Sequence, residues 1–179
     1  RNTPHTMYMH IAGHGDPAQL AKVLHDALAL SGTPLSAPPA ASPAAPETID
    51  LDTAALDRIL GHKGKIGGGV YAFGIPRAEA PRDGGMVLPP AMGSAEAINF
   101  QPTGGGKAAI TGDFVLTAAE VNPVLRALRE NGIEVTALHN HMLDDEPRLF
   151  FMHFWANDDA QKLARGLAAA LSHVAVAAG

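Results

Sequence analysis

One feature constrains this chain more than any other: its two ends are written twice. "PHTMYMHIAGHGDPAQLAKVLHDALAL" from Pro4 aligns without a gap on "PRLFFMHFWANDDAQKLARGLAAALSH" from Pro147. Pro4 falls on Pro147, Met9-His10 on Met152-His153 and Asp16 on Asp159, while Leu20-Ala21, Leu24 and Ala27-Leu28 fall on Leu163-Ala164, Leu167 and Ala170-Leu171. Chance would not keep apolar spacing and polar landmarks together. The shared unit reads as a strand followed by an amphipathic helix. Residues 1–30 are therefore expected to be the C-terminal strand–helix of an incomplete first repeat, residues 31–48 a Pro/Ala-rich linker, and residues 49–179 a complete second repeat. One domain carrying two similar helices is the alternative. The opening "RNTPHTMYMH" shows neither an initiator Met nor a signal-peptide pattern, so the chain reads as processed or truncated, and a missing N-terminal fragment or another copy is the expected partner that completes repeat one.

Within the second repeat, "DTAALDRILG" predicts a short helix capped by Asp52 and ended by Gly61. "KIGGGVYAFGIP", "MVLPPAMGSAEAINFQP" and "GGGKAAITGDFVLT" read as extended segments broken by glycine and proline. Thr117 and Glu120 have capping-box spacing ahead of a helix that Gly132 stops, with Asn122-Pro123 as an alternative start. "IEVTALHNHM", the turn "LDDEP" and "RLFFMHFW" predict an antiparallel hairpin, and a last helix begins near Asp158-Asp159. The segment 149–155 is apolar at both parities, which places it inside the sheet. The expected fold is α+β: an antiparallel sheet with helices packed on one face.

The hairpin carries the chemistry. His139 and His141 are two apart on one strand, so they share a face. A turn centred near residue 146 or 147 would return His153 opposite one of them, where cross-strand Cβ atoms lie about 4.5–5.5 Å apart. The chain has no cysteine, so any metal must be held by His, Asp or Glu. His139, His141 and His153 are the candidate ligands for a Zn, Cu or Fe ion, with Glu146 a candidate fourth and His10 the first-repeat equivalent of His153. Shared coordination would need their ring nitrogens within roughly 3–4 Å of one another. The rival reading is of histidines that hydrogen-bond locally beside Leu138, Phe151 and Trp155.

Other signals are weaker. A net charge of −5 opposes nucleic-acid binding and the superficial likeness of "HNH" to a nuclease motif. No apolar run reaches the roughly 18 residues of a membrane span. "GKIGGG" precedes a strand rather than a helix and lacks the P-loop ending, and "GSA" at 93–95 has no nucleophile-elbow context. Asp113 reads as a ligand, a base or a strand-edge residue bonded to backbone, and Arg148 as an anion contact or a surface ion pair. His14, His25, His62 and His173 have no convergent partners in the sequence. The run His139, His141, Glu146, His153 is cupin-like, although its last interval is short and its expected glycines are missing.

"GDFVLTAAEVNPVLRALRENGIEVTALHNHMLDDEPRLFFMHFW" closely resembles the LppY/LpqO family, a bacterial domain of unknown function, and "MYMHIAGHGDPAQLAKVLHDALALSGTP" resembles the end of that family's first repeat. The resemblance implies two such repeats and an exported, periplasmic or lipoprotein location; it implies no reaction. Three functions follow as expectations: an exported metal-binding protein, a non-catalytic envelope-binding or scaffold module, and a cupin-like metalloenzyme. No general base stands out, so enzymatic activity is left open.

Overall fold

A computed structural model describes residues 9–36 and 48–179. Most of the Pro/Ala-rich segment and the residues before Met9 lie outside this range, including the start of the strand expected in the first repeat. The chain divides into two compact units, Arg1–Ala45 and Pro46–Gly179.

In the first unit, helix α1 (Pro17–Leu28) starts with proline at its first turn and is capped by Asp16, whose side chain accepts from Gln19 N at 2.9 Å. No residue of α1 is buried, and Val23, Leu24 and Leu28 are exposed.

The second unit is α+β. Its elements are α2 (Thr53–Leu60), β1 (Lys65–Gly67), β2 (Val70–Pro76), β3 (Arg82–Asp83), β4 (Met86–Val87), β5 (Ala95–Gly104), β6 (Lys107–Leu116), α3 (Ala118–Glu130), β7 (Glu134–His139), β8 (Asp145–Glu146), β9 (Phe150–Asp159) and α4 (Ala160–Leu171). Six strands form the main sheet in the order β1-β2-β5-β6-β9-β7, and β4-β3-β8 form a small second sheet. Every strand pairing is antiparallel. β9 lies between β6 and β7, as its two apolar parities require.

The helix ends follow local chemistry. Asp52 accepts from Ala55 N at 2.9 Å, and Gly61 closes α2 in the left-handed region at φ 73°. Thr117 and Glu120 make the reciprocal capping box, so α3 starts there and carries Pro123 inside it rather than starting at Asn122. Asp159 caps α4 by accepting from Lys162 N at 2.7 Å. α1 and α4 each have 12 residues, and an aspartate precedes each.

α2, α3 and α4 cover one face of the main sheet. The core joins Leu56 and Leu60, Val124 and Leu128, Leu163 and Leu167 to the inward parity of the strands, including Ile98, Phe100, Ile110, Phe114, Met152 and Phe154. Each fully buried large side chain contributes about 1.5–3 kcal/mol. One position breaks this apolar parity. Glu96 shares the strand face of Ile98 and Phe100 and has no exposed surface. Its Oε2 accepts from Val115 N at 2.6 Å, while Oε1 has no hydrogen-bond partner. Burial, offset in part by the Val115 hydrogen bond and Arg77, pushes its carboxyl up to about 8. Nearby, Arg77 grips Glu120 through two hydrogen bonds of 3.0 and 3.2 Å and donates to Val115 O at 2.5 Å. Burial raises the Glu120 carboxyl, but donors from Arg77, Ala175 N and Thr117 outweigh it and hold the group below its ordinary range.

Candidate functional site

The opposite face of the sheet, at its β6-β9-β7 end, carries the histidines. Strand alternation puts Phe151, His153 and Trp155 on this side while Met152, Phe154 and Ala156 enter the core. The β7–β9 register sets Ala137 opposite His153 and His139 opposite Phe151, with an irregularity between Val135 and Ala137. His153 therefore faces neither His139 nor His141 directly. The register centres the return on residue 145, one short of the expected 146 or 147, through a loop in which Asp145-Glu146 pair with β3, Glu146 opposite Arg82. His139 and His153 meet on the diagonal: their Nε2 atoms are 2.8 Å apart and their rings stack with centroids at 4.9 Å.

His141 lies just past the end of β7, in a loop with its own scaffold. Asn140 Nδ2 donates to Leu149 O at 2.7 Å, and Leu149 N donates to buried Asp145 Oδ2 at 2.6 Å. Arg148 donates to Leu143 O at 2.7 Å and to Met142 O at 3.3 Å, and pairs with Asp145 Oδ1 at 3.3 Å. Its guanidinium thus ties the loop to itself. The ring of His141 lies flat on Phe151, centroids 3.4 Å apart and planes within 4°, over a small apolar cluster of Val115, Leu149 and Phe151. It also stacks on His139 at 5.0 Å. Gly93, left-handed at φ 85°, lies nearby, where an added Cβ would be 3.9 Å from His141 Nδ1.

The structure adds a residue that histidine spacing does not single out. Asp113 on β6 is directly opposite His153 in the β6–β9 register. One ligand atom from each of Asp113, His141 and His153 lies within 4.8 Å of the others, a spacing at which the three could hold a metal ion. All four side chains, His139 included, are half-buried, and His141 Nε2 is itself buried. His139 Nδ1 is 3.2 Å from Asn140 O; donating there leaves Nε2 with its lone pair. Glu146 is exposed on β8 and belongs to no such group among the described residues. His10 lies in the first unit, exposed, ahead of α1. His25 is on α1.

A family model described as Domain of Unknown Function (DUF1259) matches residues 1–30 and 54–173. The chain belongs to that family. The match skips the whole of the Pro/Ala-rich segment and includes all of β6, β7 and β9, so His139, His141, His153 and Asp113 are within it. No curated protein and no solved structure matches the DUF1259 chain. Among the described residues no helix is long and apolar enough to cross a membrane.

Proposed function

We propose that the second unit is a metal-binding module whose ion is held by His139, His141 and His153. The observation that carries this reading is the 2.8 Å approach of two imidazole nitrogens on the open sheet face, with a third imidazole stacked beside them. Local hydrogen bonding alone would not require three rings from two strands and a loop to converge. Zn, Cu and Fe are all compatible with imidazole donors. The resemblance to LppY/LpqO proteins supports export to the envelope, and fractionation of cells making the full-length protein tests that. The likeness of α1 and α4 in length and cap supports a tandem-repeat origin.

The test is metal analysis of untagged protein alongside a His139→Ala/His141→Ala variant. The expected result is near-stoichiometric metal in the parent and loss of it in the variant. Sub-stoichiometric metal, unchanged by the substitutions, would overturn the reading. A second reading, a non-catalytic envelope-binding or scaffold module that associates with another copy, is favoured by the exposed apolar residues of α1. Concentration-independent monomers of the full-length protein would count against a second copy.

A further inference from the structure

The donors on the open face are not all nitrogen. Asp113 reaches the cluster from β6, a strand about 40 residues from His153 in sequence and directly beside it in space. Its carboxylate and the ring nitrogens of His141 and His153 lie within 4.8 Å of one another, and His139 Nε2 is 2.8 Å from His153 Nε2, the length of an imidazole–imidazole hydrogen bond.

We infer that Asp113 is the oxygen ligand of this site, adding a carboxylate to its imidazole donors and suiting it to a Mn(II) or Fe(II) ion. The inference rests on the metal-binding reading above. A carboxylate is a hard donor that neutralises one of the ion's two charges, and it favours Mn(II) and Fe(II) more than imidazole does. With fewer than six protein donors, an octahedral ion keeps positions open to water or to a ligand that offers oxygens. Gly112 supports the arrangement: an added Cβ would sit 1.8 Å from Ala97 O, so glycine lets β6 run against β5 immediately before Asp113.

Calorimetric titration of the untagged full chain with Mn(II) and, separately, Cu(II) tests this, using the parent, Asp113→Asn, Asp113→Glu and His153→Ala. The parent is expected to bind one Mn(II). Asp113→Asn should weaken Mn(II) by at least about tenfold and Cu(II) by clearly less, since copper binding leans on the imidazoles. Copper binding by Asp113→Asn also reports that the fold and the other ligands are intact. Asp113→Glu keeps the carboxylate and should retain Mn(II) binding, and His153→Ala should weaken both metals. Equal Mn(II) affinity in the parent and Asp113→Asn, or equal fold-losses for the two metals, would overturn the assignment. A parent that binds Cu(II) but not Mn(II) overturns it while leaving the metal-binding reading standing. A parent that binds neither overturns both.

Discussion

Glu96 makes this protein's stability depend on pH in a direction opposite to that of an ion-paired acid. Its carboxyl is fully buried and its proton leaves only at about pH 8, against an ordinary value of 4.5. Between those values the folded chain holds a proton that the unfolded chain has released, so stability falls as pH rises through the window. At about 1.4 kcal/mol per pH unit, the full interval is worth on the order of 5 kcal/mol, of which about 3 kcal/mol is lost between pH 5.5 and 8.5. Glu96→Gln removes the ionisation and keeps an oxygen to accept from Val115 N. Its buried amide donors add a pH-independent cost of about 1–3 kcal/mol. Urea unfolding at pH 5.5, 7 and 8.5 should therefore show the parent ahead at low pH and the variant catching up or overtaking by pH 8.5. Groups elsewhere contribute equally to both proteins and cancel in the difference. If the two stability profiles run parallel, within about 0.5 kcal/mol across that range, the burial argument fails.

Two further perturbations have defined outcomes. Gly112→Ala places a Cβ against the Ala97 carbonyl and 3.0 Å from the Phe154 ring, so thermal unfolding should show destabilisation of at least about 2 kcal/mol; an unchanged melting temperature would contradict the close β5–β6 approach. Asn140→Ala cuts one of the two ties on Leu149 while leaving every candidate ligand in place, so metal affinity should fall about 10–100-fold with global stability down by only about 1 kcal/mol; equal affinity would show that the loop needs no such anchor.

Local chemistry made much of this fold legible. Asp52 with Gly61, Thr117 with Glu120, and Asp159 each announce a helix end, because a cap is a contact within four residues. The interior position of β9 was readable from its paired apolar parities. Register was not. The return of the chain depends on where residues 140–149 spend their hydrogen bonds, and Asp145-Glu146 spend theirs on β3, about 60 residues earlier. That choice takes Glu146 away from the histidines and shifts His153 to a diagonal contact. Asp113 carries several readings in the sequence, since nothing short-range fixes β6 beside β9. Glu96 did leave a trace: in "AEAINF" it has the parity of Ile98 and Phe100, and a charged residue on an apolar stripe marks a buried acid.

In β9 one backbone serves two surfaces. Phe154 is locked among core side chains, and His153, its neighbour, faces the open side. The conformational freedom of that histidine's backbone was surrendered when the sheet closed on both flanks. An arriving ligand meets it already stilled, with little ordering entropy left to lose. His141 differs, since it sits in a loop held by its own hydrogen bonds and rests on the Phe151 and His139 rings. Slow hydrogen exchange at His153 and faster exchange near His141 would be the signature of a site with one fixed jaw and one adjustable one.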